Sequence, residues 1–299
     1  LKANARAFAA ALSATEPLDA ALRHVIAQGT EILLANTQAI DAAAADAAGL
    51  PDPEFVHQAR VALRRMRSAI RLLRRYSAFP APLKDELKWI GSVLGAARDA
   101  DVLVTQTLPH LGESLAPASA RRLPPLARAA QQQRRSAHAA MKIALASTRF
   151  AALSLALLAW SAEPPDDASP ALRKRAPRLL DRAQQRLAEA ARFFAALTPT
   201  RRHEVRILAK RLRYALDLFA VALPARPTEA YGERLAALQD LLGALNDGEV
   251  ARTAIAALGA DPALRRAVGR QLAVRERDLL REAEAALAAL QAAPRPWAR

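Results

Sequence analysis

The run His57-x-x-Arg60-x-x-x-Arg64-Arg65-x-Arg67 recurs as His203-x-x-Arg206-x-x-x-Lys210-Arg211-x-Arg213, 146 residues further on. A second pair follows in the same order. Leu94-Gly95-Ala96-Ala97-Arg98-Asp99-x-x-Val102 is matched by Leu242-Gly243-Ala244-Leu245-Asn246-Asp247-x-x-Val250 at an offset of 148, so two residues were gained between the motifs. Two ordered motifs at nearly one offset mark a duplicated unit. Whatever the first half folds into, the second must be able to fold into as well.

The unit is helical. Ala and Leu dominate, aromatic residues make up 4% of the chain, and β-branched residues are scarce, a balance that favours helices throughout. Apolar spacing and Pro/Gly punctuation predict helices from Pro17 to about Ala47, from Val56 to Tyr76, over Leu83–Ala97 and over Asp99–Leu111. An Ala-rich helical piece over Leu1–Leu12 precedes them. Helices are then expected over Ala118–Ala146, delayed or kinked by Pro124 and Pro125, and over Arg149–Trp160. The second half predicts helices over Ala171–Leu197 with a bend near Pro177, Arg201–Ala222, Thr228–Leu245, Asp247–Leu258 and Pro262–Leu290. The expected fold is all-α, with a first bundle over residues 1–161, a second over 170–299, and a linker at 162–169.

Charge is concentrated on one face. Between Val56 and Tyr76 there is no acidic residue, Gly or Pro. At 100° per residue, His57, Arg60, Arg64, Arg67, Arg71 and Arg74 fall within about 100° of arc, opposite Ala59, Leu63, Met66, Ala69, Ile70 and Leu73. The result is a cationic rail roughly 27 Å long on a core-facing helix. Arg beside Arg at i,i+4 is unfavourable by a few tenths of a kcal/mol, and no carboxylate on this helix face offsets it. With a net charge of +15, the rail points to an anionic partner: nucleic acid, polyphosphate or an anionic membrane.

Several classes are excluded or disfavoured. There is no cysteine, so disulfides, thiol catalysis and Cys-ligated zinc are ruled out. There is no Gly-rich phosphate loop, no supported Ser/His/Asp arrangement and no carboxylate cluster to hold magnesium, which argues for a binder rather than an enzyme and for no cofactor. The longest apolar run, Ala151–Trp160, is too short to span a bilayer, and no signal peptide is evident. The expected setting is cytoplasmic. Few aromatics occur, and none interleaves the rail to stack bases, which argues against nucleic acid.

The same motifs carry a family resemblance. His57 with Arg60, Arg64, Arg65 and Arg67, then Leu94-Gly95-x-x-Arg98-Asp99-x-x-Val102, all of it twice, is similar to the CHAD domain, the conserved histidine α-helical domain. Asp52-Pro53-Glu54-Phe55-Val56-His57 and Val205-Arg206-Ile207-Leu208-Ala209-Lys210-Arg211-Leu212-Arg213-Tyr214 resemble its signature, and Pro296-Trp297 its ending. Asn246 departs from the pattern where the first copy has Arg98. The resemblance covers roughly Pro17 to Trp297. It implies two helical bundles related by pseudo-twofold symmetry, with the basic helices facing a shared groove or pore. It also implies binding of inorganic polyphosphate and location at polyphosphate granules. Such domains often follow a CYTH triphosphate-tunnel domain in one protein. That module's Glu-x-Glu-x-Lys pattern is not met by Glu282-Ala-Glu284, since Ala286 stands where Lys is needed. A beginning at Leu1 fits the C-terminal half of such a fusion.

The candidate polyphosphate-binding residues are therefore His57, Arg60, Arg64, Arg65, Arg67, Arg71 and Arg74 on the rail helix. Its copy adds His203, Arg206, Lys210, Arg211, Arg213 and Tyr214. Lys88, Arg98, Arg135 and Lys142 form a second tier, the last two lying on the face that also carries Arg121 and Arg128. Arginine suits phosphate because its planar guanidinium donates paired hydrogen bonds and stays charged. The two histidines read either as buried orienting residues or as phosphate donors that gain charge on acidification. Asp99 and Asp247 read as structural, capping a following helix or holding an arginine. Gly95 and Gly243 read as a helix end or a close crossing.

Overall fold

The computed structural model describes residues 12–42, 49–166 and 168–298. The piece expected before Leu12 and the last residues of the helix expected to reach Ala47 lie outside them. Every regular element described is helical. The first half holds α1 (Leu18–Ala42), α2 (Pro53–Leu73), α3 (Ala81–Val102), α4 (Leu108–Ser114), α5 (Pro117–Ala120), α6 (Leu123–Leu145) and α7 (Thr148–Ala162). The second half holds α8 (Leu172–Ala190), α9 (Pro199–Phe219), α10 (Ala225–Ala257) and α11 (Pro262–Ala292). No single helix described is long and apolar enough to cross a membrane.

Local chemistry sets most of the boundaries. Asp52 caps α2, its Oδ1 accepting from Glu54 N at 2.8 Å, and Pro53 occupies the first turn, where its missing N–H costs nothing. Asp261 caps α11 in the same way, accepting from Ala263 N and Leu264 N at 2.9 and 3.0 Å. Between α10 and α11, Gly259 takes φ +76°, the left-handed turn that ends a helix at low cost in glycine. Pro124 and Pro125 sit in the first turn of α6 and so delay its start rather than kink it. α8 runs through Pro177 without a break and stops well before Leu197. There Phe193 takes φ +57°, and a 3₁₀ turn over Phe194–Ala196 leads to α9.

Two boundaries differ from expectation for one reason. α3 and α10 each continue through their Gly-x-x-x-Asp segment, where a junction between two helices was expected. A glycine inside a helix costs about 1 kcal/mol, which packing readily offsets. α3 then passes into a π-helical stretch, Leu103–Thr107, before α4.

The chain divides into two compact units. One holds the chain up to Asp101, with Arg134–Leu179 and Asp217–Leu223. In it α1 packs on α2 and α7, burying Leu22, Ile26 and Leu33 with Leu63, Met66 and Leu73. Each such side chain contributes roughly 1.5–3 kcal/mol of burial. A short antiparallel bridge, Pro17 to Ala171, ties the start of α1 to the start of α8. The other unit holds Val102–Gln133, Leu180–Leu216 and the chain from Pro224 on. α10 packs along α11, and Leu108, Leu111 and Leu126 join Ile255, Leu264 and Val268 in one cluster.

Candidate functional site

α2 buries Val56, Ala59, Ala62, Leu63, Met66, Ala69, Ile70 and Leu73. With that face fixed in the core, the helical period leaves the arginine stripe turned outward. Arg67, Arg71 and Arg74 are exposed, and His57, Arg60 and Arg64 are half-buried.

Arg60 leans across α3. Its Nη1 lies 3.4 Å from Asp99 Oδ1, and a Cβ added at Gly95 would stand 2.8 Å from the same nitrogen. Gly95 thus lies in mid-helix and makes room for a guanidinium, while Asp99 holds that arginine rather than capping a helix. Asp99 is 73% exposed and its contact long, so the pair steers Arg60 without neutralising it strongly. Burial lowers the Arg60 pKa, Asp99 raises it, and Arg64 and Arg98 lower it again. Arg67 behaves alike: burial lowers its pKa, and the like charge of Arg71 adds to the effect. Among the described residues no carboxylate pairs with Arg64, Arg67, Arg71 or Arg74, and the Nε of Arg64 is buried without a hydrogen-bond partner. Such a donor has lost water and gained nothing in return, which a phosphate oxygen would correct.

His57 stands among these cations. Burial lowers its pKa most; Arg98, Arg64 and Arg60 lower it further against the opposing pull of Glu54. The imidazole is therefore neutral at pH 7. Arg65 turns aside from the stripe and meets Asp217 Oδ2 at 3.2 Å. Lys88 is exposed and Arg98 half-buried on α3, whereas Arg135 and Lys142 are exposed on α6 and share no partner with the α2 stripe among the described residues.

The second copy is arranged differently. His203 is exposed, and its Nδ1 lies 2.6 Å from Asn246 Oδ1, so an amide faces this histidine where an arginine faces the first. Arg213 Nη1 donates to Gly232 O at 2.8 Å. Arg206, Arg211 and Tyr214 are half-buried on α9. Lys210, Gly243 and the exposed Asp247 line a cavity of about 600 Å³, with Asp247 inside α10 rather than at a helix start. A Cβ at Gly243 would meet nothing within 4 Å, so nothing in the structure requires glycine there.

Two groups of charged residues escaped the sequence reading. Glu276 of α11 accepts from Arg202 at 2.7 Å and from Arg252 at 2.8 Å. Asp101 Oδ1 lies 2.7 Å from Arg134 Nε and 2.8 Å from His138 Nε2, all three side chains being buried. The i,i+4 pair Arg134 and His138 was a visible hint; their distant acid was not. No group of three or more potential metal ligands is found among the described residues.

Among the described residues every regular element is helical, and two of the helices, α2 and α9, carry the repeated basic sequence motif. The family model of the CHAD domain matches residues 31–256, and the chain belongs to that family. No curated protein matches it. The crystal structure of the CHAD domain from the plant Ricinus communis is similar at 32% identity and a TM-score of 0.82, over 98% of this chain and 97% of that one. PptA from Streptomyces chartreusis matches at 21% identity and a TM-score of 0.67, over 93% of this chain and 98% of that one, a likeness of fold.

Proposed function

We propose that this domain binds inorganic polyphosphate without hydrolysing it and holds its parent protein at polyphosphate granules. The observation that carries the reading is the run of Arg64, Arg67, Arg71 and Arg74, four guanidiniums on one helix face with no carboxylate paired to them among the described residues. Arg60 and His57 extend the run, and Lys88 and Arg98 flank it on α3. His203, Arg206, Lys210, Arg211, Arg213 and Tyr214 are the second copy's share. Arg135 and Lys142 serve as outlying contacts, and a CYTH domain as a neighbour in the full-length protein. Each charge-assisted hydrogen bond to phosphate contributes on the order of 1.5–3 kcal/mol, partly offset by desolvation and ordering. A long polyanion then gains by avidity, since each phosphate held brings its neighbours within reach.

Titration calorimetry with polyphosphate, in competition with single-stranded RNA of matched charge, tests the reading. Polyphosphate is expected to stay bound. Displacement by RNA at equal concentration defeats the proposal, as does phosphate release by the domain with Mg²⁺ or Mn²⁺.

Affinity should also rise on acidification. His57 is neutral when free, and a bound polyanion raises its pKa, so binding takes up a proton. The gain is complete below the free pKa and is lost as pH rises through the bound one. Each unit by which the ligand raises that pKa strengthens binding about tenfold at low pH. His57→Gln should flatten the profile between pH 5 and 8; an unchanged slope in that variant removes His57 from the site.

A further inference from the structure

α11 presents a row of arginines that belongs to neither repeated motif. At 100° per residue, Arg266, Arg270, Arg277 and Arg281 fall within about 60° of arc, roughly opposite the buried Leu264, Val268 and Leu290. All four are exposed, along roughly 22 Å of helix. Arg266 with Arg270, and Arg277 with Arg281, are like charges at i,i+4, which works against the helix. Asp278 engages Arg281, and among the described residues no carboxylate pairs with Arg266, Arg270 or Arg277. Val274, 55% exposed, stands between the two pairs. None of these residues is a polyphosphate candidate, and all of them lie in one compact unit.

The row leads to an aromatic side chain kept against the interest of the fold. Glu284, on the same face a turn beyond Arg281, accepts from Ala195 N at 3.0 Å and so fastens the turn after α8 to α11. That turn carries Phe193, at φ +57° and 75% exposed. A left-handed backbone costs phenylalanine what it does not cost glycine, the usual residue where a helix ends this way. A phenyl ring left in water adds the cost of unburied apolar surface. The ring's neighbour is the Arg192 guanidinium, 5.5 Å from its centroid. From Ala190 to His203 the chain carries no acidic residue.

We propose that this face of α11, together with the Phe193 turn, docks on an anionic lipid bilayer. The arginines meet headgroup phosphates and carboxylates, while Phe193 and Val274 enter the interface. The chemistry favours a bilayer over nucleic acid. A single strand is held in a basic groove with aromatic rings for successive bases. The outer side of one helix has no walls, and one ring cannot stack a run of bases. A bilayer offers acidic headgroups over a broad flat area and an apolar layer just beneath them. The attachment is peripheral, and it does not depend on the polyphosphate reading.

Sedimentation of the whole chain with phosphatidylcholine vesicles, with and without phosphatidylserine, tests the proposal, each variant being checked by its melting curve. Binding is expected only with phosphatidylserine and should weaken as salt is raised. Arg266→Ser with Arg277→Ser should weaken it roughly tenfold or more, at about fivefold for each basic residue beside an acidic membrane. The same pair should leave polyphosphate affinity within about twofold of the parent. Phe193→Gly should hold or raise the melting temperature and yet weaken vesicle binding about fivefold. Arg67→Ser with Arg71→Ser, on α2, should change vesicle binding by less than about twofold. No binding to phosphatidylserine vesicles, equal losses from the α2 and α11 pairs, or a Phe193→Gly variant that binds like the parent overturns the proposal. A clear fall in the melting temperature of Phe193→Gly removes its premise and overturns it too. So does single-stranded RNA whose affinity, in place of that of vesicles, depends on Arg266 and Arg277.

Discussion

Asp101→Ala is expected to destabilise the fold by about 3–5 kcal/mol, the cost of leaving a buried cation without its acid. Asp101 is 0% exposed and Arg134 3%, and the same carboxylate oxygen serves both Arg134 and His138. Urea unfolding followed by circular dichroism reads the change as a lower midpoint at an unchanged slope. The cluster's value lies in completeness, so the companion experiment replaces all of it. Asp101→Leu, Arg134→Met and His138→Leu together should cost little, because apolar groups of similar size avoid the desolvation that the ions bear. A single Asp101→Ala variant as stable as the parent would show that Arg134 finds water or another acid.

Trp297→Ala is the other large loss, about 3–5 kcal/mol for emptying a buried aromatic site. The indole packs edge-on against Tyr231 with centroids 5.0 Å apart, and its Nε1 donates to Asp181 Oδ1 at 2.9 Å. Arg295 reaches the same oxygen at 2.8 Å, so Arg295 and Trp297 are fastened to α8 through one acid, while the Tyr231 ring holds the indole to α10. Tyr231 is buried beneath the indole, its hydroxyl without a hydrogen-bond partner and its pKa raised by that burial. Trp297→Phe keeps most of the packing and loses the Nε1 hydrogen bond, a cost of about 1 kcal/mol. Equal stability of the Ala and Phe variants would mean that the ring's volume does not matter there.

Much of this was legible in the residues. The period of the α2 arginines named the outward stripe, because a strict apolar face leaves a helix no freedom to rotate. The start of α2 was set three residues late, at Val56, although Asp52 caps the helix and Pro53 occupies its first turn. The continuity of α3 and α10 was not legible, since Gly95, Gly243 and Asn246 look like breakers until their surroundings are known. For Gly95 the surroundings are the Arg60 guanidinium, a contact set by tertiary packing. Asp101 lies 33 and 37 residues from Arg134 and His138, so the i,i+4 pair was visible while its acid left no local pattern. Pairs of that kind arise from how helices are stacked, which neither propensity nor periodicity encodes.

The spacing of the α2 arginines has a kinetic consequence. Arg60, Arg64, Arg67, Arg71 and Arg74 recur every three or four residues, roughly every 5 Å along the axis. A polymer of identical phosphates offers no unique alignment to so even a row. Shifting it by one repeat exchanges each contact for an equivalent one at almost the same free energy. On the proposed reading the ligand is gripped without being indexed. It can slip lengthwise while remaining bound and leaves chiefly when an end runs off the row, so residence time should grow with polymer length.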